Sequence, residues 1–316
     1  MDEKELLKLI EKMADRSSYT SSEDSPSWNA YRKAREITGT SVIPSLNNLL
    51  EKSKDREIRD GIYFILGKIG ENTGDERVVE ILLKWLEKET DKYTLSSVLE
   101  RISEQKIVKE CSTILKFIKD ERWLVRQDAI RALKVCKSSI AEEALIKIIS
   151  ETTDEYDLIY ANSVLFEIGT YKAIPHLLNL LDHPKGDVKC SALSALNEIG
   201  DASLLPTFLE ALQDRSGAVK GYAMLGINRH GNETAIKPVI ERIKNMLKRK
   251  RNVVSDDIIL ALGFLIRFEE GNEEIHKLFD WIKTKKWDFL FESEKKWITA
   301  NITKFQLEPY STNGAG

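Results

Sequence analysis

The sequence predicts an all-α protein, a right-handed α-solenoid (superhelix) of about seven to eight antiparallel helix pairs. Three observations predict it. An apolar pattern of helical period recurs down the chain, in its clearest copies every 31 residues; a short apolar segment marked by proline follows several of the copies; and polar, aspartate-rich turns separate the two.

The pattern is clearest in DVKCSALSALNEIG, where Val188, Ala192, Ala195, Leu196 and Ile199 are followed by Gly200. Thirty-one residues on, Val219, Ala223, Gly226, Ile227, His230 and Gly231 occupy the same places, and thirty-one residues back stand Ala161, Val164, Leu165, Ile168 and Gly169. Further copies are Ile58, Ile62, Ile65, Leu66, Ile69 and Gly70, and Val125, Ala129, Ala132, Leu133 and Cys136, where Lys137 replaces the glycine. Weaker copies end at Ile102 and Leu265. At about 100° per residue these apolar positions share one face of a helix, the second of each pair. The closing glycine is expected to be a left-handed C′ residue. The first helices read VIPSLNNLL, AIPHLLNLL, LLPTFLEAL and AIKPVIERI, with Pro44, Pro175, Pro206 and Pro238 in the first turn, where a missing N–H costs nothing. Neither helix can bury its face alone, so the pairs must stack.

A first-helix proline, an aspartate-rich turn and then V-[RK]-x-x-A-x-x-A-L-x-x-[IV]-G resemble the HEAT repeat, in the short form found in phycobilin-lyase-like proteins. The resemblance covers about Val42 to Ile302 and implies a HEAT-type solenoid; it says little about function. The expected organisation is a degenerate N-terminal capping pair with a Ser-rich loop over 1–41, the solenoid over 42–306 and a mobile tail over 307–316. Trp281, Trp287, Phe289, Phe291 and Trp297 are expected to close the last apolar face.

A 316-residue chain that is 42% hydrophobic, with only 7 prolines, can bury a large core and is not disordered. A net charge of -3 makes no global case for nucleic acid or an anionic membrane, so any basic function has to be local. No apolar run approaches the ~20 residues of a membrane span, and the first residues carry no secretory pattern. Three cysteines without a CxxC spacing suggest reduced thiols, and the expected location is cytoplasmic, without membrane contact. The Lys/Ile/Glu/Asn-rich composition looks bacterial.

Catalytic motifs are not found. The four histidines, His176, His183, His230 and His276, share no i,i+4 face, and none is followed by glutamate. The iron-binding deoxyhypusine hydroxylases, built on HEAT-like repeats, carry such His-Glu pairs as ligands. Gly67-Lys-Ile-Gly-Glu-Asn-Thr-Gly74 follows a helix rather than a strand, so it reads as a helix end and turn and not as a phosphate loop. No enzyme activity, metal or cofactor is expected.

In such solenoids the second helices line the concave side. Positions pointing away from the core then give candidate partner-binding residues Phe64, Tyr93, Glu100, Gln127, Arg131, Lys134, Phe166, Asn197 and Asn228, a mixed surface with the aromatic and arginine anchors of protein interfaces. Lys248, Arg249, Lys250 and Arg251 form the strongest basic cluster, open to two readings: a solvated helix end or a phosphate-contacting patch. The expected function is a non-enzymatic scaffold that captures a protein, as an adaptor or a toxin-neutralising immunity protein. The alternatives are a nucleic-acid-binding protein resembling the HEAT-like alkylpurine DNA glycosylases, and a bilin-lyase-like chaperone subunit.

Overall fold

A computed structural model describes residues 3–17, 19, 21–136 and 138–305; the expected tail over 307–316 and the Lys137 variation of the repeat lie outside them. Every regular element among the described residues is helical. The chain divides into two units, 1–176 and 177–316.

In the first unit, α1 (Glu3–Met13) and α2 (Pro26–Arg35) pack on each other and on α4. First helices α3 (Ile43–Lys52), α5 (Glu76–Leu86), α7 (Ser112–Leu115) and α9 (Ser139–Glu151) alternate with second helices α4 (Arg56–Thr73), α6 (Lys92–Ser103), α8 (Trp123–Ala132) and α10 (Glu155–Ile168). Each first helix packs on its own second helix, and the second helices pack in sequence, α4 on α6, α6 on α8, α8 on α10. The starts of α4, α6 and α10 are set by side-chain caps: Asp55, Asp91 and Asp154 each accept from the first turn's N–H groups, Asp55 from one and the others from two.

The boundary falls within α11 (Ile174–Asn179). The second unit continues with α12 (Gly186–Ile199), α13 (Leu205–Ala211), α14 (Gly217–His230), α15 (Ile236–Met246), α16 (Asp257–Ile266), α17 (Glu273–Trp281) and α18 (Glu292–Asn301). Here α12, α14, α16 and α18 form the row, with α13 on α14 and α15 on α16. The repeat template marks the core: Val188, Ala192, Ala195, Leu196, Val219, Ala223 and Ile227 are all buried.

Two expectations about glycine and cysteine need correction. Gly169, Gly200 and Gly231 have φ of -68°, -87° and -74°, ordinary values that any residue adopts. Glycine is needed there because a Cβ would strike the carbonyl of Leu165, Leu196 or Ile227, and also Leu204 at Gly200 and the Phe264 ring at Gly231. Gly67 and Gly70 do not end their helix. α4 runs through both to Thr73, and they let Arg101 and Gln105 approach it closely; the left-handed cap is Gly74, φ 73°. Cys111 and Cys136 are not separate thiols but a disulfide with Cα atoms 6.0 Å apart, which removes the thiol argument for a cytoplasmic setting. It ties the start of the single-turn helix α7 to the end of its repeat, where first-helix packing is thinnest. Cys190 remains free and buried, its thiol pushed up to about 11, chiefly by burial.

Gly231→Ala and Gly231→Asn should each destabilise by about 1–3 kcal/mol in urea unfolding, because the obstacle is steric. Asparagine, which tolerates left-handed φ, should give no rescue. Removing the crosslink by Cys111→Ser should cost roughly 3–4 kcal/mol by chain entropy for its 25-residue separation, and unfolded, unreduced protein should titrate one thiol.

Candidate functional site: the face of the second-helix row

The repeats are joined by cations near the start of the second helices. In unit 1, Arg59 donates to the Leu50 carbonyl at 2.6 Å, to the Ser53 carbonyl at 2.9 Å and to Glu89 of the next repeat from Nε at 2.9 Å, while its guanidinium lies 4.8 Å from the Trp85 ring. Tyr63 also donates to Glu89, and burial holds its hydroxyl protonated. Arg126 repeats the arrangement: it meets Asp157 at 2.6 Å and Asp154 at 3.1 Å, and donates to the Asp120 carbonyl at 2.9 Å. In unit 2, Lys189 donates to Asp214 at 2.8 Å. Arg126 and Lys189 directly follow the first apolar residue of the template, as does Arg59, so the [RK] of the repeat pattern is a bolt between neighbours.

Helix ends supply further links. The Asn197 carbonyl accepts from His230 Nε2 at 2.9 Å, and the Asn228 carbonyl accepts from Arg267 at 2.8 Å. Both carbonyls lie in the last turn, where no intrahelical N–H remains for them. Asn197 and Asn228, expected as partner contacts, therefore have structural work for their main chains, and both are half-buried.

The remaining expected contacts divide. Gln127 is only 7% exposed and cannot present itself to a partner, because its side of α8 is covered. Phe64 is half-buried in a cluster: Tyr31 meets it edge-on at 4.8 Å, and Arg101 and Lys68 lie over its ring at 5.2 and 5.7 Å. Glu100 pairs with Arg101. Arg131 is exposed, bonded to Asp128 at 3.0 Å and placed 5.8 Å from the Tyr160 ring; Lys134 is half-buried. Burial pushes the Asp128 carboxyl up from its usual range. Phe166 and Tyr93 are open to solvent.

Tyr93 belongs to a feature missed by the sequence pattern. It is the second residue of α6; Trp123 is the first of α8, and Tyr156 is the second of α10. Their exposures are 53%, 61% and 59%. Three successive second helices of unit 1 thus each begin with an aromatic ring in water. Beside Tyr93 lies a cavity of about 360 Å³ lined by Arg16, Arg56, Glu57, Asp60 and Thr94. Arg56 and Lys92 stand 5.4 and 4.9 Å from the Tyr93 ring. The stripe could have been found by aligning helix starts instead of the buried template, since it falls outside the core positions.

The basic cluster is split. Lys248, Arg249 and Lys250 are exposed, but Arg251 is not a phosphate contact: it grips buried Glu294 with two hydrogen bonds, at 2.7 and 2.5 Å. Among the described residues no group of acidic, histidine and cysteine side chains has the arrangement of a metal site, and no helix is long and apolar enough to cross a membrane.

Arg126→Ala should destabilise by roughly 3 kcal/mol at neutral pH, by leaving the Asp157 carboxylate buried and uncompensated. Burial already raises the Asp157 pKa above its usual 3.8, and loss of Arg126 raises it further. A carboxyl whose folded pKa exceeds the unfolded one costs stability as pH rises through the folded value. The deficit against the parent should therefore shrink as pH falls towards about 4, as read by denaturation across pH.

Residues 142–220 and 174–263 match the family model for HEAT repeats. YibA of Escherichia coli is a similar solved structure, 21% identical with a TM-score of 0.57, the match covering 93% of this chain and 100% of that one. An engineered protein is 19% identical, with a TM-score of 0.48 over 95% of this chain and 88% of that one. The complex of CpcE and CpcF of phycocyanin lyase from Nostoc sp. is 17% identical, with a TM-score of 0.46 over 79% and 97%. No curated protein sequence matches the chain. The repeat template, the stacked second helices and the family model agree on HEAT-type repeats over residues 142–263.

Proposed function

We propose that the protein is a non-enzymatic scaffold that holds a protein partner along the Tyr93, Trp123 and Tyr156 stripe of unit 1. The stripe is the observation that carries the reading. Large exposed aromatics are costly to leave in water and are the side chains that most often anchor protein interfaces. Their regular place, one per repeat, suits a partner that is itself regular. Neighbouring packed helices lie about 10 Å apart, close to the ~9 Å rise of one three-residue turn of a polyproline II segment, so a partner segment in that conformation would set every third residue on successive rings. Arg56, Arg131 and Phe166 supply further contacts of the kind enriched in interfaces. An adaptor role and neutralisation of a toxin are finer forms of this reading, decided by which partner is held.

The test is capture of partners by the tagged, nuclease-treated protein from its native cells, followed by affinity measurement. Trp123→Ala and Tyr156→Ala should each weaken the retained protein about 10- to 100-fold while the melting temperature stays within a degree or two of the parent. Binding should depend only mildly on salt. Retention of nucleic acid in untreated lysate, released by moderate salt and indifferent to both substitutions, would reject this reading.

A further inference from the structure

The loop between α15 and α16 reads Lys248-Arg-Lys-Arg-Asn-Val-Val254. Arg251 fixes it at one point: besides its two bonds to Glu294, which is fully buried, it donates to the Phe289 carbonyl at 3.3 Å, and its guanidinium lies 4.7 Å from the Phe291 ring. On one side of this anchor project Lys248, Arg249 and Lys250. On the other project Val253 and Val254, 78% and 63% exposed, two adjacent aliphatic side chains turned to water. Lys286 adds a cation beside the anchor, its Nζ 4.0 Å from the centre of the Phe289 ring. Of the carboxylates around the loop and its anchor, Asp256, Asp288 and Glu292 are exposed, Glu292 pairing with Lys295; Asp257 pairs with Arg242, and Glu294 is consumed by Arg251.

We propose that this loop is a membrane-surface contact, in which Lys248, Arg249 and Lys250 meet the headgroups of anionic phospholipid and Val253 and Val254 enter the acyl boundary. Cations around an exposed aliphatic tip fit an anionic interface in both its parts, charge at the headgroups and apolar surface just beneath them. Single-stranded nucleic acid fits less well, because it gains from free aromatic faces on which to stack. The rings near the loop are half-buried and each has a neighbour on its face: Trp287 stacks on Phe305, Phe289 lies under Lys286 and Phe291 under Arg251. The net charge of -3 does not oppose the contact, since charges beyond about 8 Å are screened at physiological salt. A surface contact also needs no crossing helix. This departs from the expectation of no membrane contact drawn from overall composition, and it is independent of the aromatic stripe, which lies in the other unit.

The experiment is flotation of the full-length protein with phosphatidylcholine vesicles and with vesicles of phosphatidylcholine containing phosphatidylserine. Binding is expected only to the second kind and should fall with added salt. Lys248→Gln, Arg249→Gln and Lys250→Gln together should weaken it about 100-fold, from about 5-fold per cation. Val253→Ser with Val254→Ser should weaken it about 10-fold at unchanged charge. All five side chains are exposed, and an unchanged melting temperature should confirm that both variants fold. Absence of binding to phosphatidylserine vesicles at low salt overturns the proposal. So does binding that ignores the valine changes, or duplex DNA bound as tightly as the vesicles, either of which makes the loop a general polyanion contact.

Discussion

No helix pair among the described residues is large enough to bury its own apolar face, so each depends on how its neighbour is fixed to it. The fixing element is a cation at the start of a second helix that reaches an acid of the next repeat: Arg59 to Glu89, Arg126 to Asp154 and Asp157, Lys189 to Asp214. Apolar contact is nearly indifferent to small sliding, whereas a guanidinium with several committed hydrogen bonds is not. The bond lengths of Arg126, 2.6 to 3.1 Å over three partners, set the register between α8 and α10. Tyr93, Trp123 and Tyr156 stand at the starts of α6, α8 and α10, three successive helices of this row.

Close approach between the rows is then a matter of small residues. Gly67 and Gly70 admit Arg101 and Gln105 against α4, and Gln105 in turn donates to the Gly67 carbonyl at 3.1 Å. Gly226 leaves room for the Phe208 ring, so α13 can lie against α14. The glycines that close the repeats act in the same way, by leaving out an atom that would collide. Where the repeat is least regular, at the four-residue α7, packing is supplemented by the Cys111–Cys136 crosslink and by a hydrogen bond from Val108 N–H to the Val135 carbonyl at 2.9 Å.

Function is divided in the same spirit. Unit 1 offers aromatic rings, arginines and a polar cavity beside Tyr93; unit 2 offers a basic loop with an aliphatic tip. Each is held in place by an acid: Asp91 caps the helix that carries Tyr93, and buried Glu294 anchors the loop through Arg251.

The repeat, its helical class and its core were legible in the sequence because burial imposes a 3.6-residue period that survives in the choice of side chains: Val188, Ala192, Leu196 and their equivalents are apolar whatever else changes. The placement of the first-helix prolines was legible for similar local reasons. Tertiary structure decided the rest. Whether Gln127 is open or covered, whether Arg251 faces solvent or Glu294, and whether Cys111 meets Cys136 all depend on residues tens of positions away, which leave no periodic trace. The glycines show the limit most plainly: their recurrence was visible, but the reason, a collision with a carbonyl four residues back or with a neighbouring ring, exists only once the chain is folded. The stripe of Tyr93, Trp123 and Tyr156 escaped for the complementary reason, since exposed positions are not constrained by the core and become a pattern only when the helix starts are brought side by side.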